Sequence, residues 1–229
     1  MDSQQLNDII NWDVETWKDV LPYWKDKLSD YDKSSAVCIE IGARDGGISL
    51  WMAMNGFQVT CSDIHYDLED AKKLHQKYGI SNNVVYQKID LLDWNEKNTY
   101  DVIIVKSVLG ALQNEKRIET ALKNIYGNLK EGGILLFAEN SKATFIHQQF
   151  RKRFTDWGNS WFYFNEQSIT TLFKEMNVMD VKYNGVLAVC GNRIGMSKFF
   201  SKMDKSLLNK IVPDKMKYMV FGYAKKQSN

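Results

Sequence analysis

Residues 40–46 combine an acidic side chain with a glycine-rich turn at the end of an apolar run. Glu40 ends the run, a helix-like segment follows from Ile48, and the turn between them contains Gly42, Ala43, Arg44 and Gly46. Glycine lets a backbone turn tightly and approach a ligand closely. Amides at the start of the next helix can receive polar or anionic ligand atoms. This order of strand, turn and helix is typical of a nucleotide-binding α/β unit.

A second acidic residue, Asp63, ends the next apolar run. It lies about 20 residues beyond the turn, the spacing at which a carboxylate can bind ribose hydroxyls. An NAD site has the same pattern of strand, turn, helix and acid. The two sequence segments therefore predict a nucleotide cofactor without deciding between cofactor classes.

The elements that must position these residues alternate between strands and helices. Strands are predicted at 36–41, 57–63, 84–89, 100–105 and 134–139, and helices at 46–55, 67–78 and 115–129. This alternation predicts a doubly wound, parallel sheet. Beyond residue 140 we expect helices at 144–154 and 168–176, a sixth strand at 178–189 and a last strand at 218–224.

Length and composition indicate one globular α/β domain. The chain has 229 residues, 44% of them hydrophobic, and only three scattered cysteines. Such a chain can bury a full-sized core, and the cysteine spacing predicts neither a disulfide framework nor a metal site. The first residues are polar and do not resemble a signal peptide, and no apolar run is long enough to span a bilayer. We therefore expect a cytoplasmic enzyme.

Together, these segments resemble the class I methyltransferases that use S-adenosylmethionine. The resemblance covers residues 34–140 and the terminal strands, in the segments 40–46, 63–64, 90–91, 101–112 and 129–135. It implies an α/β fold with a Rossmann-like sheet of seven mostly parallel strands and an antiparallel last strand. It also implies S-adenosylmethionine, rather than NAD, as the cofactor.

The resemblance assigns a role to each cofactor-binding residue. It implies that Asp63 binds the ribose hydroxyls, with Ile64 beside the adenine. Asp90 would accept from the adenine amino group, and the Leu91 backbone would meet the ring. Arg44 stands where the family has a glycine, and its guanidinium could reach the methionine carboxylate of the cofactor. Lys106 and Ser107, at the end of the fourth strand, are expected near the transferred methyl group.

The predicted organisation is a helical cap at 1–33 and a methyltransferase domain at 34–229. Apolar residues recur at helical spacing through the first 30 residues, and Pro22 is expected to break or start a helix. Acceptor-side insertions are predicted at 141–165 and 190–216. In the family, such a cap can pack on the sheet edge or fold over the cofactor, and both roles stay open.

The candidate general base is His147, and Lys106 is a further candidate catalytic residue, with simple cofactor contact as its alternative. Family members often have Glu-His where this chain has Gly110-Ala111, so a base has to come from elsewhere. Histidine titrates near neutral pH, which favours His147; the alternative is an exposed or packed helix histidine. His65 and His75 are interpreted as surface residues.

Residues 143–164 and 190–224 resemble a subset of bacterial methyltransferases of surface-polysaccharide (O-antigen or capsule) biosynthesis. Aromatic faces stack on sugar rings, and an Arg-Lys-Arg cluster can pair with a phosphate or carboxylate. The candidate acceptor-binding residues are Arg151, Arg153, Trp161 and Tyr163. The two arginines precede Trp157 and Gly158, and the two aromatic residues follow them. We therefore predict O-methylation of a sugar hydroxyl on an anionic glycan precursor. The alternatives are a small-metabolite O-methyltransferase and a non-catalytic relative that binds the cofactor.

Basic residues are concentrated at the end of the chain. Residues 190–229 contain nine basic and two acidic side chains, although the net charge of the whole chain is only +2. Because this excess is not a long basic stripe, no nucleic acid partner is predicted. Residues 196–212 form a basic amphipathic helix that ends at Pro213. We predict that this helix is a lid over the acceptor pocket; the alternative is peripheral contact with the inner face of a membrane.

Overall fold

The strands form one mixed sheet, as predicted. A computed structural model describes residues 1–65, 67–154, 160–191 and 195–227. Its strands are β1 (Cys38–Ile41), β2 (Val59–Asp63), β3 (Val84–Lys88), β4 (Tyr100–Lys106), β5 (Leu129–Asn140), β6 (Asn177–Asn184) and β7 (Met219–Lys225). They lie in the order β3-β2-β1-β4-β5-β7-β6. β7 is antiparallel to β5 and β6, whereas the other pairs are parallel. The predicted seven-stranded sheet with an antiparallel last strand is confirmed.

Helices cover both faces of the sheet. They are α1 (Ser3–Ile10), α2 (Val14–Trp17), α3 (Val20–Lys27), α4 (Gly47–Met54), α5 (Glu69–Lys77), α6 (Glu115–Asn128), α7 (Phe145–Phe154), α8 (Glu166–Leu172), α9 (Ala188–Gly191), α10 (Ser197–Met203) and α11 (Asn209–Ile211). A π-helical turn, Asp204–Leu208, joins α10 to α11. Pro22 lies in the first turn of α3, where its missing N–H removes no helical hydrogen bond.

The hydrophobic core has one layer on each side of the sheet. The first layer includes the fully buried Trp17 and Trp24 of the N-terminal helices, packed with Trp51 of α4. The second layer lies under α6 and α8 and includes Phe137 and Phe173. The N-terminal helices thus share a core with the helix that follows the glycine-rich turn, and this packing positions them beside that turn.

The sixth strand is shorter than predicted. It ends at Asn184 instead of continuing to residue 189. Gly185 has φ +80°, and a Cβ there would lie 2.5 Å from the Tyr218 ring, so the chain has to leave the strand conformation. The Asp204 carboxylate then accepts from the amides of 186–188, which start α9.

Two other boundaries differ from the prediction. β5 begins at Leu129, and its pairing with β4 is irregular between Leu129 and Ile134, because the Lys130–Gly133 stretch interrupts the register. The helix predicted at 168–176 is α8, which begins earlier. Asn165 caps it, in a capping box with Ser168.

Candidate active site

A cleft of about 640 Å³ opens at the carboxyl ends of β1, β2 and β4. Strand order reverses between β1 and β4, with β2 and β3 on one side and β5 on the other. Ligands bind at this kind of switch point in open α/β sheets. The segment that follows α1 closes one side of the cleft, through Asn11 and Trp12. The cleft therefore lies between the sheet and the N-terminal helices.

The turn after β1 requires glycine at two positions. Gly42 has φ +69°, and a Cβ there would lie 2.5 Å from a methyl group of Val108. Gly46 has φ +78°, and its Cβ would lie 2.7 Å from that of Ala71. Arg44 keeps the left-handed conformation at φ 50° although it is not a glycine. That conformation costs a non-glycine residue about 1 kcal/mol. The change to arginine therefore leaves the shape of the turn intact.

Asp63 fastens this turn to the end of β2. One carboxylate oxygen accepts from the Arg44 amide at 3.0 Å, and the other accepts from the His65 amide at 2.9 Å. A carboxylate has about four lone-pair sites, so each oxygen can accept one more hydrogen bond. Asp63 lines the cleft together with Ile64. Its remaining acceptor capacity fits a pair of ligand hydroxyls.

The predicted adenine-side residues line the same cleft. Asp90 is exposed and accepts from the Leu92 amide at 2.9 Å, while Leu91 is buried beside it. The Arg44 side chain is 63% exposed, with Nε 3.5 Å from an Asp45 oxygen. The structure thus brings together the whole predicted cofactor set except Gly46, which lies directly behind the lining: Glu40, Gly42, Ala43, Arg44, Asp63, Ile64, Asp90, Leu91 and Lys106.

Glu40 and Lys106 are charged groups placed next to the core. Glu40 is buried and accepts from the Ser49 amide and hydroxyl at 2.6 Å, and burial raises the pKa of its carboxyl to about 7. Lys106 Nζ donates to the Ile10 carbonyl at 3.2 Å and lies 5.5 Å from the centre of the Trp17 ring. Burial lowers the pKa of Lys106 to about 8, although Glu40 and Glu139 act in the opposite direction. Lys106 thus connects the end of β4 to the N-terminal helices.

Glu139 was not predicted as a site residue. Its buried carboxylate accepts from the amides of Val108, Leu109 and Gly110, and so fixes the loop after β4. Burial raises the pKa of this carboxyl to about 7. The only signal in the sequence is an acid that ends a buried apolar strand.

Asn140 was also not predicted as a site residue, whereas Ser107 was expected near the transferred methyl group; both residues line the cleft. Asn140 is 2% exposed. The Ser107 hydroxyl is buried and has no hydrogen-bond partner in the described part of the chain. Native proteins pair most buried polar groups. An unpaired hydroxyl and an amide side chain in the lining of one cleft indicate a polar ligand.

Trp161 explains why Gly110 is a glycine. The Trp161 indole packs directly against Gly110, in the space that a side chain there would occupy, and the Phe162 amide donates to the Gly110 carbonyl at 2.8 Å. Trp161 also lines the cleft. This chain therefore has Gly110-Ala111 where family members often have Glu-His, and the Trp161 indole fills the space beside Gly110.

His147 lies outside the lining of the cleft, and its position does not support the predicted role as a base. Its ring nitrogens contact the Thr144 hydroxyl at 2.7 Å and the Val186 carbonyl at 2.6 Å. It is 8% exposed, and burial lowers its pKa. Both ring nitrogens of His147 therefore already have partners within the fold. This is the arrangement expected for a helix histidine that packs inside the protein, the alternative to a catalytic base.

The other two histidines differ from each other. The prediction that His75 is a surface residue is wrong, because it is fully buried between the Tyr86 hydroxyl and the Gly46 carbonyl, at 2.8 Å from each. It supports the glycine-rich turn from behind. His65 is exposed, as predicted, but it also lines the cleft.

Only Trp161 of the four predicted acceptor residues lines the cleft. Arg151 is buried and donates to the carbonyls of Ser141 and Tyr218 at 2.7 and 3.1 Å. Its guanidinium lies 4.4 Å from the centre of the Tyr163 ring. Arg153 is exposed on α7. The structure therefore does not support acceptor binding by Arg151, Arg153 or Tyr163, and Trp157 and Gly158 lie outside the described residues.

We expect Arg151→Ala to destabilise the protein without a specific effect on acceptor binding. The substitution leaves the Ser141 carbonyl without its Arg151 donor and removes one of the two donors to the Tyr218 carbonyl, which should lower the free energy of unfolding by about 3 kcal/mol. Urea denaturation followed by circular dichroism measures this loss. Arg153→Ala is the matched control, and its denaturation midpoint should equal that of wild type. A wild-type midpoint in Arg151→Ala would contradict the structural role.

The predicted lid does not cover the cleft. No residue of 196–212 is among the described residues that line it; α10 packs instead on α2 and α9. Within the described residues, no helix is both long and apolar enough to cross a membrane. The prediction of a lid is therefore wrong for this structure.

Comparison with known proteins is consistent with this site. Residues 16–182 match the family model described as a methyltransferase domain. No curated protein matches the chain. Phosphoethanolamine N-methyltransferase 2 of Haemonchus contortus, solved with S-adenosyl-L-methionine, shares 18% identity, with a TM-score of 0.67 over 93% of this chain and 53% of that one.

Two other solved structures have the same fold. A SAM-dependent methyltransferase of Methanosarcina mazei shares 14% identity over 89% of this chain and 98% of that one, with a TM-score of 0.61. The CurJ carbon methyltransferase shares 19% identity over 91% of this chain and 53% of that one, with a TM-score of 0.59. At these identities the likeness is one of fold alone.

Proposed function

Because this chain belongs to the methyltransferase-domain family and its cofactor is S-adenosylmethionine, we propose that it methylates an oxygen of its acceptor. The acceptor that we propose is a sugar hydroxyl of a surface-polysaccharide precursor. The observation that carries the proposal is the buried Ser107 hydroxyl, which has no partner among the described residues and lines the cleft together with the Asn140 side chain.

The cofactor would be held by the residues at the ends of β1 and β2. The two acceptor positions left on Asp63 fit the two ribose hydroxyls, and Asp90 fits the adenine amino group. Arg44 is exposed at the rim and can pair with a carboxylate once it leaves Asp45. When bound, the cofactor supplies an electrophilic methyl group on a positively charged sulfur.

The polar groups at the other end of the cleft fit a hydroxyl better than a charged group. An amide side chain offers one acceptor and two donors, so Asn140 can both accept from a hydroxyl and donate to a neighbouring oxygen. Ser107 lies at the end of the adjacent strand, β4, and adds a second group of the same kind. Such contacts orient an oxygen lone pair toward a fixed point, and orientation is a large part of the rate in a two-substrate transfer.

Aromatic rings also line the cleft. Trp161 and Trp12 both contribute to its walls. Flat aromatic faces suit the apolar faces of sugar rings, while the indole edges remain polar. This combination of two indoles and two neutral polar groups supports a glycan acceptor. The buried Arg151 does not contribute to this surface.

Lys106 is the group best placed to receive the hydroxyl proton. It lines the cleft next to Ser107 in the chain. With a pKa lowered to about 8, a fraction of Lys106 is neutral at physiological pH, and only the neutral amine can accept a proton. General base catalysis of this kind contributes roughly 10²- to 10⁴-fold to a rate.

Product analysis by mass spectrometry tests the proposal. The purified enzyme would be incubated with S-adenosylmethionine and a panel of nucleotide sugars, oligosaccharides, small hydroxylated metabolites and amines. Methylation at a sugar oxygen, with loss of one methyl group from the surface glycans of a deletion strain, is the expected result. Unchanged glycans together with a methylated metabolite would favour the small-metabolite alternative, and methylation of amines alone would contradict transfer to oxygen.

Asn140→Ala is expected to raise KM for the acceptor about tenfold while cofactor affinity stays at the wild-type value. The substitution removes hydrogen bonds worth about 1 kcal/mol or more to the acceptor and leaves the ends of β1 and β2 untouched. Steady-state kinetics and calorimetry with S-adenosylhomocysteine measure the two quantities. Asn82→Ala, at an exposed position before β3, is the control. Equal KM values in Asn140→Ala and wild type would remove Asn140 from the acceptor site.

A further inference from the structure

Part of the apolar surface of the helical segment 196–212 faces solvent. Met196, Phe199, Leu207 and Ile211 are exposed by 43, 54, 54 and 64%, and the half-buried Met203 lies between the second and third of them. Their spacing of three or four residues, with Met203 included, places them on one side of a helix. We call these five residues the apolar stripe. Amphipathic helices of globular proteins normally turn this side toward the core.

Polar groups on the opposite side fix this orientation. Asp204 is 2% exposed, and its carboxylate accepts from the amides of Val186, Leu187 and Ala188 at 2.8 to 3.0 Å. The Ser201 hydroxyl is also buried, and it donates to the Glu15 carbonyl at 3.1 Å. Turning the apolar stripe inward would carry Asp204 and Ser201 out to solvent and leave the amides of 186–188 and the Glu15 carbonyl without these partners, which is costly. The outward position of the stripe is therefore built into the fold.

Lysines flank the apolar stripe. Lys198, Lys202 and Lys210 are exposed and have no ion-pair partner among the described residues. Lys205 differs, because its Nζ lies 2.6 Å from Asp19. The two acids of the region do not offset the exposed lysines: Asp204 is buried under the segment, and Asp214 pairs with Lys217 at 2.7 Å. The surface around the stripe is therefore positively charged.

We infer that this surface binds an anionic phospholipid bilayer. The apolar stripe would enter the boundary between headgroups and acyl chains, and the flanking lysines would lie among the lipid phosphates. An apolar side with basic residues around it is the arrangement of helices that lie in a membrane interface, and each exposed lysine adds to binding at an anionic surface. The inference rests on the packing of 196–212 and does not depend on the acceptor that the enzyme methylates.

Vesicle sedimentation of the full chain tests this inference. Wild type should sediment with vesicles of phosphatidylcholine and phosphatidylserine, but not with phosphatidylcholine alone, and high salt should weaken the binding. The lysine variant, Lys198→Gln with Lys202→Gln, should bind about thirtyfold more weakly, because two lysine contacts with the anionic surface are lost. The stripe variant, Phe199→Ser with Leu207→Ser and Ile211→Ser, should lose binding.

Matched controls separate surface effects from misfolding. Val85→Ser removes a 65% exposed apolar side chain from the far edge strand β3, and Lys116→Gln with Lys123→Gln removes two lysines from α6. Both should bind vesicles like wild type. All variants should keep wild-type calorimetric affinity for S-adenosylhomocysteine. Three outcomes would overturn the inference. The first is that wild type does not sediment with anionic vesicles at low salt, and the second is that the stripe variant binds as well as wild type. The third is that wild type is a dimer in solution and the stripe variant is a monomer.

Discussion

Asp63→Ala is expected to weaken S-adenosylmethionine binding by at least about a hundredfold, because the two ribose hydroxyls would lose a charged acceptor and a hydrogen bond to a charged group contributes about 1.5–3 kcal/mol. The Arg44 and His65 amides also lose the carboxylate that fastens the glycine-rich turn to β2. Isothermal titration calorimetry with S-adenosylmethionine, S-adenosylhomocysteine and NAD measures the effect. We expect no binding of NAD by either protein.

Asp70→Ala is the control for this substitution. Asp70 is exposed on α5 and pairs only with Lys73, at 3.0 Å, and a surface pair of this kind contributes little to stability. Its cofactor affinity should equal that of wild type. Wild-type affinity in Asp63→Ala would remove Asp63 from the cofactor site, whereas a lowered melting temperature with unchanged affinity would leave it only its role in the turn.

The cofactor side of the cleft could be predicted from the sequence because its features are local. Gly42 and Gly46 occur within one turn, and Asp63 ends the next strand. In parallel strands that neighbour each other, such ends meet at one edge of the sheet. The prediction of the turn held although Arg44 replaces the family's glycine, because the Arg44 backbone keeps the left-handed conformation, with φ 50°. Short spacing along the chain was enough to place these residues together.

The proposed acceptor side could be predicted only in part: the resemblance pointed to Trp161 and Ser107, but Asn140 joins them only through pairing of distant strands. Asn140 and Ser107 come from the ends of β5 and β4, and Trp161 reaches the cleft from beyond α7. His147 and Arg151 have the residue types of catalytic and binding groups. Each of them, however, also has a backbone carbonyl as a partner far along the chain: that of Val186, 39 residues from His147, and that of Tyr218, 67 residues from Arg151. Residue type alone does not distinguish such packed polar groups from functional ones.

The orientation of the segment 196–212 also could not be predicted from the sequence. Its apolar pattern correctly predicted a helical segment, and it also suggested that the apolar side faces the protein. The sequence does not reveal that Asp204 has three backbone amides to bind at 186–188. This carboxylate favours the outward orientation of the apolar side chains, because turning them inward would withdraw it from the three buried amides.

Lys106→Met is expected to lower kcat roughly a hundredfold and to remove its dependence on pH near 8. In wild type, burial lowers the pKa of Lys106 to about 8. Below that pH the amine is protonated and cannot accept a proton, so kcat should rise about tenfold per pH unit up to the pKa and level off above it. Methionine keeps the length and apolar contacts of the side chain but cannot titrate. Methyl-transfer assays across this pH range measure both effects.

Two further variants distinguish a base from a structural link. Lys106→Arg keeps the positive charge and a donor for the Ile10 carbonyl, but it stays protonated at every pH of the assay. Its melting temperature should therefore be near that of wild type, while kcat stays low even at high pH. Lys88→Met, at an exposed position at the end of β3, should leave kcat and its pH profile unchanged. Recovery of wild-type kcat in Lys106→Arg would show that Lys106 acts by holding the N-terminal helices over the cleft, and a wild-type pH profile in Lys106→Met would assign the titration to another group.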